Sequence, residues 1–323
     1  MQTIPNTHTP EPVAHFHRSR FDAWSFLFTG VTGACTYLII AILLLILGNI
    51  VLNGYSHFSW RFLTGGADRG MYDPETAGVL PMIVGTASRI ILMTIFVIPV
   101  GVITALYMTE YAHSSSLGIR IIRGAVANLA GVPSIVFGLF GWGFFLNFIG
   151  THMDQLLHPE AAKAVWGKPA LIWASLTLAV MTLPVVIVAT EEALKSIPHG
   201  LREASLALGA TKLQTVLRIV LPQAMPGILT GGILAISRAA GEVAPILFTG
   251  AVSFYPDLPK ALTDPFMDLG YHVFILSTQS PNIEQTRPLL YATVMALLLL
   301  TFLLNIMAIL VRAQMRRKLR ALQ

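Results

Sequence analysis

The sequence predicts an all-α membrane protein, a polytopic bundle of about six transmembrane helices. Three observations carry that reading. Of 323 residues, 54% are hydrophobic and only 11% are charged, against about 25% charged in ordinary soluble domains. Six apolar runs each approach the ~20 residues needed to cross the hydrocarbon of a bilayer. The basic residues divide unevenly between the loops that join those runs. With the N-terminus placed in the cytoplasm, thirteen Lys and Arg fall on that side and six on the other, as the positive-inside rule requires.

The first run, 31–52, holds Cys35, the only cysteine. A single cysteine excludes an intrachain disulfide and a multi-cysteine metal site, and Cys35 is read as a small buried hydrophobe. The stretch 1–30 is read as a cytoplasmic tail ahead of a permease domain over 31–323. Its histidines His8, His15 and His17 are taken as part of a disordered polar segment rather than a metal site. No cleavable signal pattern precedes the first run, so that run is expected to be retained.

The second run covers 90–108 and extends back to Pro81 if Arg89 is tolerated in the membrane. Arg89 is expected near the outer interface, its guanidinium snorkelling to water, with a vestibule role for an incoming anion as the alternative. The third, 126–149, is interrupted by Gly131, Pro133 and Ser134. A kink is expected there, with close packing through Gly138 and Gly141. Ser134 and the freed backbone groups are candidates for a substrate pathway. The fourth run, 170–189, and the second each contain a proline, Pro184 and Pro99, read as kinks.

The fifth run, 227–250, carries Arg238 and Glu242. Four residues apart, they are expected on one helix face. Each charge costs roughly 2.5–3.5 kcal/mol at the membrane centre on insertion scales. Such residues pair, face water or meet a substrate. The two readings are a structural ion pair and an anion-handling site. An arginine fork suits the oxygens of phosphate, and a carboxylate accepts a hydrogen bond from a protonated phosphate. The sixth run is 289–311. Of the three loops 53–79, 151–169 and 253–288, the last is long and rich in proline and aromatics, and is expected to be an ordered interfacial cap.

Between the fourth and fifth runs lies a polar, helix-patterned hairpin, 191–222. Leu201, Ala204 and Leu208 fall at helical spacing and form one apolar face. Gly209 stands where a helix end favours positive φ. Thr211 and Gln214 have capping-box spacing, and Pro222 is expected to end or kink the next helix. Ordered structure of this kind in a membrane loop points to a docking surface for another protein. There is no G-x-x-x-x-G-K-[ST] motif, so energy for any transport comes from a partner or an ion gradient, and the chain is read as no enzyme by itself. The basic C-terminal residues are read as a topology signal, so no nucleic acid is expected as a partner.

Glu203-Ala204-Ser205, Gly209 and Ile219-Val220-Leu221-Pro222 together resemble the EAA loop of bacterial ABC importer permeases, with Ser205 for the family's second Ala. Three further stretches, Gly78–Thr86, Leu129–Gly141 and Arg238–Gly250, are similar to the phosphate-permease (PstA-type) family. Val243 and Ile246 replace the commoner Thr and Leu of its last motif. The resemblance covers about residue 78 to the C-terminus. It implies a type I ABC importer permease fold with a cytoplasmic coupling helix, in the bacterial inner membrane with both termini cytoplasmic. It implies Leu201, Glu203, Ala204, Ser205, Leu208 and Gly209 as the ATPase-coupling residues. It further implies a second, PstC-like permease, a PstB-like ATPase dimer that binds ATP and Mg, a PstS-like extracytoplasmic phosphate-binding protein, and surrounding lipid. No cofactor is expected in this chain. Alternatives are a permease for sulfate, molybdate or phosphonate, a gradient-driven transporter, and a membrane scaffold signalling phosphate status.

A reporter fused after Gln323 should be active only in its cytoplasmic form. Activity of an extracytoplasmic reporter at that position would reverse the orientation and take the hairpin away from any ATPase.

Overall fold

The computed structural model describes residues 23–67, 72–73, 75–112 and 116–320. The expected tail histidines His8, His15 and His17 lie outside the described residues, as does Arg69. The chain divides into two compact units, Met1–Asn49 and Ile50–Gln323. Among the described residues there is no strand, only an isolated parallel bridge between Ala251 and Phe266.

Six helical stretches are long and apolar enough to cross a membrane: Trp24–Gly54, Leu80–Tyr111, Ser134–Leu157, Leu171–Lys195, Lys212–Gly241 and Ile283–Arg317. They match the six runs read from the sequence, with shifted ends. Helix α1 (Ala23–Gly54) begins in the first unit and runs past its end at Asn49; it is apolar around its whole circumference, and Cys35 on it is exposed. The expectation of a buried Cys35 is therefore not met within this chain.

The second unit opens with a short helix α2 (Trp60–Thr64), capped by the Ser59 hydroxyl. Helix α3 (Leu80–Leu106) follows and ends in a π-helical turn, Tyr107–Tyr111. Next comes α4 (Leu117–Ala130), an amphipathic helix separate from any span. The third span is α5 (Ser134–Phe140), a π-helical stretch Gly141–Gly150, and α6 (Thr151–Leu157). The Gly131–Pro133 interruption is thus a full break, where a kink was expected. Pro133 supplies no amide, and Val132, which precedes it, is biased away from helical angles.

Helix α7 (Leu171–Lys195) is the most deeply buried span and packs against α3 on one side and α10 (Leu221–Gly241) on the other. Their shared core holds Met93 and Val97 of α3, Leu178, Met181 and Val186 of α7, and Ala235 and Ala239 of α10. Between α7 and α10 come α8 (His199–Ala207) and α9 (Lys212–Thr215). A π-helical turn, Val216–Val220, joins α9 to α10. Pro222 therefore neither stops nor breaks this helix. The wider turn precedes it, and Pro222 falls in the first turn of α10, where a missing amide costs least.

The fifth span ends at Gly241, earlier than the run 227–250 suggested, and Glu242 is extended (φ −84°, ψ 123°). The chain then forms α11 (Ile246–Thr249), a loop, α12 (Leu269–Thr278) and α13 (Ile283–Arg320). The long loop is the ordered element anticipated, with α12 packed on α13 and α3.

One buried interaction holds this region together. The end of α10 leaves backbone carbonyls without helical partners. Arg89 of α3 fills part of that need, donating from Nη1 at 2.9 Å to the Ala239 carbonyl, which also accepts from the Glu242 amide, and from Nη2 to that of Ala240 at 3.4 Å. Its Nε meets Asp268 Oδ2 at 2.5 Å, and both side chains are wholly buried. Asp268 also accepts from the Thr86 hydroxyl at 2.9 Å and caps α12 through the Tyr271 amide at 3.2 Å. Gly85 makes this approach possible, since a Cβ there would collide with the Met267 carbonyl. Arg89 is therefore a buried clamp, and the expected snorkelling residue is not observed. The error arose because its partner lies 179 residues away in sequence.

Removing one member of a buried pair strands the other, at a cost of about 3–5 kcal/mol. Asp268→Ala should lower the detergent-solubilised protein's thermal stability sharply. Arg123→Ala breaks a pair with Glu191 whose arginine is 43% exposed, and should cost under about 1 kcal/mol. Equal melting temperatures for the two variants would contradict the clamp.

Candidate functional site

Two places concentrate polar chemistry. The first is the end of α10. Arg238 and Glu242 approach at 3.8 Å, with side chains 39% and 25% exposed. That separation is an ion pair too long for a hydrogen bond. Glu242 caps the helix from outside, so the shared helical face expected from four-residue spacing is replaced by a fold-back across the helix end. The pair is loose and open, whereas Arg89–Asp268 is tight and dry.

Ser134 is the first residue of α5 and is half-buried. One turn further on, Gly138 packs against the segment after Glu242. A Cβ at Gly138 would meet the Phe248 ring at 3.0 Å and the Ala244 carbonyl at 3.1 Å. The breaks in the third and fifth spans therefore adjoin through α5, at Gly138 and not at the Ser134 hydroxyl.

The second place is the hairpin α8–α9. Gly209 has φ +84°, the only positive φ among the described residues. Its amide donates to Leu206 O at 2.9 Å and the Ala210 amide to Ser205 O at 3.2 Å, the paired bonds of a Schellman end. Thr211 and Gln214 make the reciprocal capping box. Ser205 Oγ lies 2.9 Å from Thr215 Oγ1, stapling the two helices. Glu203 and Ala204 face outward. Leu201 is 40% exposed and Leu208 90%, so the apolar face read from the sequence lies uncovered.

Arg202 anchors the hairpin, a role the sequence reading missed. Its Nη2 pairs with Glu110 Oε1 at 2.8 Å. Its Nη1 and Nη2 also donate to the carbonyls of Ile197 and Leu194 at 2.7 and 2.8 Å. Glu110 sits in the π turn that ends α3. Lys212 adds a cation–π contact, 5.2 Å from the Tyr111 ring centre. The hairpin is thus tied to the ends of both α3 and α7. The available signal was an arginine and a glutamate each at a polar segment's edge, with nothing in their spacing to pair them.

Six spans, a fifth span that ends at Gly241 beside a charged pair, and an anchored hairpin with a bare apolar face are features that suit a transport permease. The chain belongs to the family described as binding-protein-dependent transport system inner membrane component, whose model matches residues 97–320. It is a permease subunit of an ABC importer, and permeases of this family work with an ATPase and a binding protein.

A probable ABC transporter permease protein, YqgI of Bacillus subtilis, is 32% identical over 78% of this chain and 83% of its own length. Phosphate transport system permease protein PstA 2 of Mycobacterium bovis is 31% identical over 93% of this chain and 90% of its own. Among solved structures, a bacterial ABC transporter involved in alginate import aligns with TM-score 0.60 at 13% identity, covering 90% of this chain and 95% of that one. That last likeness is one of fold.

Gly209→Val forces a branched residue into left-handed backbone, at roughly 1–2 kcal/mol. Local opening of the hairpin should rise by a factor of about 5–30. Limited proteolysis should then cut between α8 and α9 correspondingly faster, with membrane abundance unchanged. An unchanged cleavage rate would show that the turn does not hold the hairpin.

Proposed function

We propose that this chain is the permease subunit for inorganic phosphate import, forming half of a translocation pathway with a second permease of similar fold. The observation that carries the reading is the contrast between its two intramembrane arginines. Arg89 spends its donors on Asp268 and two helix-end carbonyls. Arg238 touches Glu242 only at 3.8 Å and stays partly open. A charge held in a span without tight pairing is a functional group by default, and its planar fork matches the oxygens of a tetrahedral anion. Glu242 beside it can accept from a protonated oxyanion, which favours phosphate over fully ionised sulfate. The phosphate transport name of the Mycobacterium bovis relative supports the same substrate.

In this reading Ser134, at the adjoining break, stands beside the route. The α8–α9 hairpin faces the cytoplasm with both termini and receives an ATPase dimer. Leu201, Leu208 and the Glu203-Ala204-Ser205 segment form the docking face, and Gly209 holds its shape. ATP and Mg belong to that ATPase, and this chain performs no catalysis. Closure of the ATPases pushes the hairpin. Arg202 then passes the displacement to α3 through Glu110 and to the end of α7 through its carbonyls. The surrounding spans rock between inward- and outward-facing states, and a binding protein delivers phosphate from outside.

The test is radioactive phosphate uptake in cells lacking other phosphate transporters, with abundance checked. Arg238→Gln should reduce uptake at least tenfold, matching the loss of a charge-assisted hydrogen bond worth about 1.5–3 kcal/mol. Arg238→Lys keeps the charge, loses the fork and should be impaired. The exchange Arg238→Glu with Glu242→Arg should stay inactive, because it puts a carboxylate where the anion passes. Full recovery in that double variant would make the two residues a structural pair and remove Arg238 from the pathway.

A further inference from the structure

The groove between α10 and α13 carries polar groups that neither the clamp nor the hairpin uses. Ser237, next to Arg238, shares its hydroxyl hydrogen between Asn305 Oδ1 of α13 and the Ile233 carbonyl, both at 2.9 Å. Seven residues earlier on α10, Thr230 Oγ1 donates to the Pro226 carbonyl at 2.8 Å and accepts from Arg312 Nη1 at 3.1 Å. Arg312 is seven residues later than Asn305 on α13. The helices run antiparallel, so equal steps in opposite directions keep the two rungs in register. Seven residues are about two turns, or roughly 10 Å.

These groups are not sealed. Ser237 is exposed, and Thr230, Asn305 and Arg312 are half-buried. Polar side chains that glue membrane helices sit between them, yet this ladder lies along an open edge that also bears Arg238 and Gly241. Among the described residues no carboxylate lies within salt-bridge distance of Arg312. The bond to Thr230 uses one of the five N–H donors a guanidinium carries. The Ser237 and Thr230 hydroxyl hydrogens are spent within the protein, so the donors left for an anion beyond Arg238 are the Asn305 amide NH2 and the remaining Arg312 N–H groups.

We propose that Ser237–Asn305 and Thr230–Arg312 form a wetted polar rail along which a small oxyanion leaves Arg238, with Arg312 as its next cationic stop. This rests on reading the chain as an anion permease. The rail runs toward the end of α13 that carries Arg316 and Arg317. The neutral Asn305 amide between two arginines lets the anion move without a deep trap at either one.

Cys35 is the only native cysteine, so Cys35→Ser gives a clean background for the test. Single variants Thr230→Cys and Asn305→Cys would be assembled with the partner subunits in proteoliposomes. Leu303→Cys, exposed on the far face of α13, serves as control. Each is treated with an anionic methanethiosulfonate, with and without inorganic phosphate. Thiolates form only where water reaches, so the two rail positions should react at least tenfold faster than Leu303→Cys, and phosphate should slow them. Reaction at the control rate at both positions would place the groove against lipid or protein and overturn the rail. Fast reaction unaffected by phosphate, in a transporter that takes up no phosphate, would keep the rail and overturn the substrate assignment.

A second readout separates a forked anion stop from a simple interfacial charge. Arg312→Gln should cut uptake about tenfold at unchanged abundance, and Arg312→Lys should restore it only in part. Complete restoration by lysine would remove Arg312 as a forked stop.

Discussion

The Arg89–Asp268 pair is the constraint on which the permease core depends. A span that stops inside the membrane exposes carbonyls that no water satisfies, and unsatisfied backbone groups in hydrocarbon cost several kcal/mol each. Where α10 stops at Gly241, the Ala240 carbonyl takes its donor from Arg89, and the Ala239 carbonyl is shared by Arg89 and the Glu242 amide. A lone buried guanidinium would itself be prohibitive. Asp268 neutralises it and in the same place starts α12. One carboxylate thus fixes three elements: the middle of α3, the end of α10 and the beginning of α12. The cation at the end of α10 also lies at the negative pole of its dipole, where it is favoured.

Arg202 repeats this arrangement at the other end of the molecule. It too donates to carbonyls at and just beyond the end of a span, those of Leu194 and Ile197, and it too is neutralised by a carboxylate, Glu110. The Arg202 and Glu110 side chains are 14% and 9% exposed, where the inner pair is wholly buried. The difference has a mechanical consequence. The dry clamp resists change, because separating its charges leaves both uncompensated. The wetter one can shift, because water can replace part of what is lost. The hairpin is thereby joined to α3 and α7 through a contact that water reaches in part, while the end of α10 is held by one that is wholly buried.

The sequence showed the periodic and the local features well. Gly209, the Thr211–Gln214 box and the count of spans follow from spacing over a few residues, and those are the features that fold as read. Features that depend on distant partners were not legible. Arg89 looked like an interfacial residue because Asp268 is 179 positions away, in a loop whose order was foreseen but whose chemistry was not. Glu242 looked helical because the apolar run continues to Gly250, and only tertiary capping of α10 decides that the helix stops at Gly241. The break at Gly131–Pro133 has a local cause, the missing amide of Pro133 and its bias on Val132, which the sequence displays but which reads there as bending where it breaks the helix.

The two intramembrane arginines also show why residue type alone does not locate a site. Arg89 and Arg238 are chemically identical and stand on adjacent packed helices. What separates them is how their donors are spent. Arg89 uses Nε, Nη1 and Nη2 on protein acceptors and sees no solvent. Arg238 is partly solvent-facing, with a carboxylate nearby but not bonded. A guanidinium in a membrane span has to be compensated in every state that is appreciably populated. For Arg89 the compensation is permanent and built into the fold. For Arg238 it is incomplete in this structure, and in the proposed reading a transient anion completes it. The clamp holds the end of α10 through the Ala239 and Ala240 carbonyls, and Arg238, one residue before them, keeps its side chain 39% exposed beside Glu242.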